Sequence, residues 1–344
     1  MIRKIITDSW HKPNLLTVIF WPLSLIYRAA FLTNRALYNA GLKSIYKAPV
    51  PVIVVGNLTV GGTGKTPMVV YLVEQLRAQG YSPGVISRGY HGSSTDGVIS
   101  VEADTPISKS GDEPAMIVQR TQVPMVIGAN RRAACEMLLS EFSVDVIISD
   151  DGLQHHALAR DVEICLSDMT TKQTNYCLLP AGPYREPRSR LKTVDLLVLH
   201  QVAAGEDDKE PSSKERIIGQ QFAMHLDASK PVSVGSHNAV ESELNDFESD
   251  KVTHAVAGIA NPQRFFDTCR RLGYTIEEHA FADHHVFLEG DLNFGAAAQI
   301  LMTEKDAVKC VKFKNASHWF LPVNAKLEAG FIDALVKKLT SHKA

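Results

Sequence analysis

The residues best suited to chemistry begin at Gly61-Gly62-Thr63-Gly64-Lys65-Thr66, between an apolar run from Val52 to Val55 and a helical pattern from Thr66 to Gln79 that Gly80 stops. A strand, a glycine-rich turn, Gly-Lys-Thr and a helix are the parts of a phosphate-binding loop. The glycines let backbone N–H groups curl around phosphate oxygens, and the helix N-terminus adds its dipole. Lys65 reaches the β- and γ-phosphates and Thr66 ligates magnesium. ATP and Mg2+ are the expected cofactors, bound over Thr59, Val60, Gly61, Gly62, Thr63, Gly64, Lys65 and Thr66. The usual first glycine of the pattern is Thr59 here, which predicts an altered loop entry and not a lost site.

Such a loop needs a carboxylate from a neighbouring strand end. The apolar run Val144 to Ser149 supplies it, ending in Asp150-Asp151-Gly152, where either acid can hold magnesium directly or through water. Arg88 and Arg131 are candidate phosphate or substrate contacts, because the guanidinium fork matches phosphate oxygens. His155, just after the acidic strand end, is a third candidate contact. Gly111-Asp112-Glu113-Pro114 reads as a helix start, with Asp112 as a cap and Glu113 as a first-turn acid or magnesium-shell residue. A GTPase reading fails: guanine recognition uses a Lys one residue removed from an Asp, and Lys305 and Asp306 are adjacent.

The elements that must carry these residues alternate between strand-like and helical runs, as in a parallel sheet with crossover helices. Strands are predicted at 52–55, 84–87, 125–127, 144–149, 162–166, 196–199, 252–257 and 300–303, and helices at 66–79, 131–142 and 262–272. The fold class is therefore α/β: a P-loop NTPase with a doubly wound, mostly parallel sheet, a second, smaller α/β domain and an N-terminal amphipathic helical segment. The division expected is 1–48 for the N-terminal interfacial segment, 49–204 for the P-loop domain, 205–230 for a polar linker and 231–344 for the C-terminal domain.

Composition narrows the partners. A net charge of −2 over 344 residues argues against a general nucleic-acid binder, and no protein partner is predicted. Five cysteines, never closer than twelve residues, point to neither a disulfide framework nor a zinc pair. The N-terminus is different: Leu15 to Tyr27 is almost wholly apolar, and residues 1–50 carry seven Lys or Arg against Asp8 alone. The run is expected to end at Arg28, to be kinked by Pro22, and at thirteen residues to fall short of the roughly 20 needed to cross a bilayer. It fits a segment lying in the interface of an anionic leaflet, and equally a helix packed on the protein's own core.

The chain resembles one family, the tetraacyldisaccharide 4′-kinases, the lipid A 4′-kinases of Gram-negative bacteria. The resemblance rests on NLTVGGTGKTP at 57–67, SRGY at 87–90, GDEP at 111–114, DDGLQH at 150–155 and LLPAGPYREP at 178–187. It continues through GIANPQRFF at 258–266, FADH at 281–284 and TEKDAVK at 303–309. It implies transfer of the ATP γ-phosphoryl group to the 4′-hydroxyl of a membrane-embedded, tetraacylated glucosamine disaccharide 1-phosphate, forming lipid IVA at the cytoplasmic face of the inner membrane. It also implies that Asp112, with His284, takes the proton of the acceptor hydroxyl. With Asp112 in the P-loop half and His284 in the C-terminal half, the two are expected to meet only when a cleft closes. A soluble P-loop kinase or ligase acting on a small metabolite is the alternative.

Overall fold

The computed structural model describes residues 10, 12–89, 97–169, 173–201, 220–234, 247–295, 298–313 and 317–341. The expectations about Arg3, Lys4, Asp8, Tyr90 and most of the polar stretch after 201 lie outside the described residues. The first half carries α1 (Leu15–Asn39), β1 (Val52–Asn57), α2 (Lys65–Ala78), β2 (Pro83–Ser87), β3 (Ile99–Ser100), α3 (Ile107–Ser110) and α4 (Asp112–Thr121). It goes on through β4 (Met125–Ile127), α5 (Arg131–Glu141), β5 (Val146–Ser149) and β6 (Val162–Asp168). Then follow β7 (Leu196–Gln201), β8 (Gln220–Ala228), β9 (Val232–Ser233), β10 (Thr253–Ala257), α6 (Pro262–Arg271) and β11 (Ile276–Ala280). The chain closes with β12 (Gln299–Thr303), α7 (Glu304–Cys310), β13 (His318–Leu321), β14 (Val323–Leu327) and α8 (Phe331–Ser341).

These elements form two compact units, and neither is a continuous stretch of chain. The first comprises residues 1–88, 130–226 and 325–344. Its strands run β8-β7-β6-β1-β5-β2, every pair parallel. Every residue of β1 and β5 is buried, which is why both read as unbroken apolar runs and not as alternating ones. Met68, Leu72 and Leu76 recur every fourth residue on α2 and are fully buried, so that helix covers the sheet with one stripe. The chain leaves β1 for β2 on one side and later returns to β6 on the other. That reversal places the C-terminal end of β1 at a switch point, where open α/β sheets bind ligands.

The second unit comprises residues 89–129 and 227–324. Its five strands run β11-β10-β12-β13-β9, parallel except for β9. Alternate residues feed two cores: Val256, Ile300 and Met302 pack with Phe287 on one face, and Ala255, Ala257 and Leu301 pack with Phe265, Phe266 and Cys269 on the other. This period of two with both faces covered makes the sheet the middle layer of the unit.

The contiguous division at 204 and 231 is corrected by this arrangement. Residues 89–129 join the C-terminal unit, because α4 lies against α7, with Arg120 paired to Glu304 at 3.0 Å. Residues 325–344 return to the P-loop unit, where Phe331, Leu335 and Leu339 of α8 are buried and the Phe331 ring meets Phe222 edge-on at 5.3 Å. Part of the supposed linker, Gln220–Ala228, is strand β8, paired in register with β7. Gln220, Gln221 and Asp227 are exposed and most of its other residues half-buried, so it lacks the apolar run that announced the other strands.

The N-terminal expectation also changes. Helix α1 passes through Pro22 and Arg28 and runs for 25 residues, long and apolar enough by length and composition to cross a bilayer. A reciprocal box opens it, Thr17 N–H donating to Asn14 Oδ1 and Asn14 N–H to Thr17 Oγ1. What holds it to the unit is a polar and aromatic stripe. Ser24 Oγ donates to Leu178 O and Tyr27 OH to Arg185 O, both at 2.9 Å, while the Phe31 and Tyr38 rings sit 6.1 and 6.0 Å from His156. The opposite face shows Leu15, Val18, Ile19, Leu23 and Ile26 to solvent, each at least half exposed.

Candidate active site

The P-loop follows from how β1 ends. After Asn57 the chain turns through Gly61 (φ 129°) and Gly64 (φ 88°), conformations that only glycine adopts without strain, and enters α2. No side chain caps α2, so its first N–H groups remain available to an anion. A Cβ on Gly61 or Gly62 would meet nothing within 4 Å, which marks an open cradle. The entry at Thr59 is held without its glycine by a second backbone segment. Thr59 bridges Tyr184, Val60 N–H donates to Pro183 O at 2.9 Å, and Arg185 N–H donates to Leu58 O at 2.7 Å. Thr63 is buried with its hydroxyl unpaired by protein, a polar atom suited to a phosphate oxygen.

Lys65 and the acidic strand end lie together. Lys65 Nζ lies 3.2 Å from Asn57 Oδ1 and 3.6 Å from Asp151 Oδ1. Asp151 takes a left-handed backbone (φ 47°), which turns it out of the strand direction, and Arg185 pairs with it at 3.0 Å. Burial works to raise the Asp151 carboxyl, but Lys65 and Arg185 beside it outweigh that and hold it below the usual carboxylate range. Asp150 Oδ2 accepts from Ser87 Oγ at 3.2 Å, and Arg131 Nη2 donates to the Asp150 carbonyl at 3.4 Å. Burial lowers Arg131 to about 10 despite both aspartates, so it stays charged at neutral pH. His155 is pushed down to about 4 by burial and by Arg131 and Arg88, so it is a neutral imidazole at neutral pH in the ligand-free chain. Thr66, Asp150 and Asp151 offer the hard oxygen donors that Mg2+ takes, in the unit that carries the open cradle.

Three side chains here escape a sequence reading of roles. Gln154 Nε2 donates to Asn57 O and to Glu186 Oε1, at 3.2 and 2.9 Å, and Arg185 reaches both Asp151 and Gln154. Gln154, Arg185 and Glu186 lie in DDGLQH and LLPAGPYREP, so the motifs contained them without indicating what they do.

The second unit assembles the other cluster. Asp112 opens α4 as its first residue and does not cap it; Gly111 stands at the cap position. Its carboxylate instead meets His284, whose Nδ1 is 3.0 Å from Asp112 Oδ2, on a left-handed backbone (φ 61°) tied by His284 N–H to Gly258 O. The cleft-closing expectation is thereby corrected: both residues belong to one unit and are in contact already. His285 pairs with Asp291, which distinguishes it from His284. Glu113 lies 3.5 Å from Lys305, and Lys305 3.9 Å from Asp283. Lys309, which sequence reasoning missed, is buried 2.6 Å from Asp306 and 3.7 Å from Asp112. Asp306 is wholly buried and also accepts from Gly258 N–H and Thr303 Oγ1.

An open glycine loop at a switch point, a helix behind it and Lys65 beside a strand-end aspartate define a P-loop phosphotransferase. The chain belongs to the family described as Tetraacyldisaccharide-1-P 4'-kinase, whose sequence pattern matches residues 16–340. Among its relatives, the Tetraacyldisaccharide 4'-kinase of Shewanella pealeana is 48% identical, over 97% of both chains. That of Stenotrophomonas maltophilia is 45% identical over 92% of this chain and 91% of its own. The crystal structure of LpxK from Aquifex aeolicus in complex with ATP superposes with a TM-score of 0.79 at 28% identity, covering 95% of this chain and 99% of that one.

Proposed function

We infer that this chain transfers the γ-phosphoryl group of ATP to the 4′-hydroxyl of a tetraacyldisaccharide 1-phosphate, forming lipid IVA in lipid A biosynthesis. The observation that carries it is the family match over 16–340 together with a P-loop whose lysine and aspartate are in place. A small-metabolite kinase is not favoured by relatives of one name matched over nearly the whole chain.

Lys65 and the α2 N-terminus neutralise the phosphate charge, and Arg131 and Arg88 are further phosphate or lipid headgroup contacts. Thr66, Asp150 and Asp151 would hold Mg2+, which would supply positive charge to offset that of the phosphates. Glu113 would act on that shell only if released from Lys305. A sugar hydroxyl is a weak nucleophile, so Asp112 accepts its proton as the new P–O bond forms, with His284 orienting the carboxylate or sharing the proton. Lys309 is a positioning residue, its buried ammonium 3.7 Å from the Asp112 carboxylate.

The acceptor lipid does not leave its bilayer, and α1 supplies the means to reach it. The helix is pinned along the body by its Ser24 and Tyr27 stripe while its apolar face points outward, which supports a monotopic helix in the interface and not a span. Since ATP is the donor, the surface in question is the cytoplasmic face of the inner membrane. Incubation of the purified protein with γ-labelled ATP and detergent-solubilised tetraacyldisaccharide 1-phosphate should place label in lipid. Label in a soluble sugar but not in lipid would return the chain to the small-metabolite reading.

A further inference from the structure

Away from both clusters, three metal-ligating side chains converge on one face of the second unit's sheet. His254 lies on β10, and Glu277 and His279 lie two residues apart on the adjacent β11. The parallel register pairs His254 with Glu277 and Val256 with His279, so all three project from the same face. His254 Nδ1 is 3.1 Å from His279 Nε2 and 3.3 Å from Glu277 Oε2, and the three ligand atoms all lie within 4.8 Å of one another. Phe294 holds the rings in place, its centroid 4.5 Å from that of His254 in a stacked geometry and 4.1 Å from that of His279. Glu278, on the opposite face, is taken by Arg270. Glu277 turns to the imidazoles instead. Neither phosphoryl transfer nor core packing calls for two imidazole nitrogens aimed at each other beside a carboxylate.

We propose that His254, Glu277 and His279 bind a divalent transition metal of the zinc class. Two imidazoles and a carboxylate suit Zn2+ and its neighbours Co2+, Ni2+ and Cu2+, whereas Mg2+ prefers an all-oxygen shell, so this centre is chemically separate from the nucleotide's metal. Zinc bonds to histidine run about 2.0–2.1 Å, and a tetrahedral centre therefore sets its nitrogens roughly 3.3 Å apart, close to the separation present. The Glu277 side chain is 60% exposed, which leaves a coordination position open to water. The metal clasps β11, the outermost strand of this sheet, to β10.

A ring separation of 3.1 Å also fits a plain imidazole–imidazole hydrogen bond, and the test must separate the two. Full-length protein stripped with chelator, without nucleotide, is titrated with Zn2+ against a chromophoric competitor and separately loaded with Co2+. His254→Phe and His279→Phe keep an aromatic ring against Phe294 while removing a ligand, and Glu277→Gln does the same for the carboxylate at an exposed position. Each histidine variant should weaken the tightest Zn2+ site by more than the roughly 10–100-fold that loss of an outer-shell partner costs. The visible Co2+ bands should vanish with it, and Zn2+ should raise the melting temperature of the wild type only. Zn2+ affinity and a Co2+ spectrum that persist unchanged in His279→Phe or Glu277→Gln would overturn the site, as would a wild type that shows neither. Label transfer to lipid with Mg2+ present should continue in all three variants, so loss of this centre and failure of the kinase reading are distinguishable.

Discussion

Lys65 and Asp112 sit in different units and predict different kinetic signatures. Lys65→Ala should lower kcat by about 10²–10³ with little change in melting temperature, because it removes a charge that acts mainly on the transition state. Near-normal turnover in that variant would remove the P-loop from the mechanism. Asp112→Ala and His284→Ala should each lower kcat by roughly 10²–10⁴ and leave the KM for ATP nearly unchanged, and the double variant should be little worse than the poorer single one. Additive losses with a rising KM for ATP would instead give Asp112 a role in binding. His155 and His156 carry a pH prediction. Burial, followed by neighbouring arginines, lowers both to about 4, below the ordinary histidine value of 6.5. The unfolded chain then takes up protons first as the pH falls. Stability is full above about pH 6.5 and declines progressively toward about pH 4. Urea midpoints across that range, with a shallower slope in His155→Gln, check the assignment.

Among the elements, α1 and α8 are anchored in opposite ways. Helix α8 buries Phe331, Leu335 and Leu339, so Leu335→Ala should cost about 2–5 kcal/mol of stability, measured by denaturant unfolding. Helix α1 presents its apolar residues to solvent. Val18→Glu with Ile26→Glu should therefore leave the unfolding midpoint unchanged while reducing sedimentation with anionic vesicles. Loss of stability without loss of vesicle binding would mean that this face packs on protein. The length of α1 follows from its docking: Ser24, Tyr27, Phe31 and Tyr38 find partners along one side, and these contacts carry the helix past Pro22, which a local reading takes as a break.

For the molecule as a whole, the consequence is that neither unit is a fragment that can be cut out. A chain of residues 231–344 lacks α4, Arg120 and Asp112, and carries α8 without the sheet on which it packs. It should show no cooperative melting, whereas the full chain should. Buried Lys309 and Asp306 tie the second unit internally. Lys309→Met would leave a fully buried carboxylate without its cation, at a cost of about 3–5 kcal/mol. A thermal shift as small as that of an exposed substitution would show that this pair is dispensable.

The sequence by itself determined what is local. A glycine loop between a strand and a helix can be read from neighbours in the chain, because the conformational freedom of Gly61 and Gly64 and the reach of Lys65 act over a few residues. The apolar runs of β1 and β5 are legible for the same reason: both faces of those strands are covered, so no residue needs to be polar. Strand β8 was illegible because its half-exposed residues dilute that signal, and its pairing with β7 comes from a partner about two dozen residues away. The motifs also named Asp112 and His284 as a pair without saying that they share one unit. Tertiary structure decided that, since α4 joins the second unit by packing on α7, and packing between segments nearly two hundred residues apart leaves no mark on either segment's own periodicity.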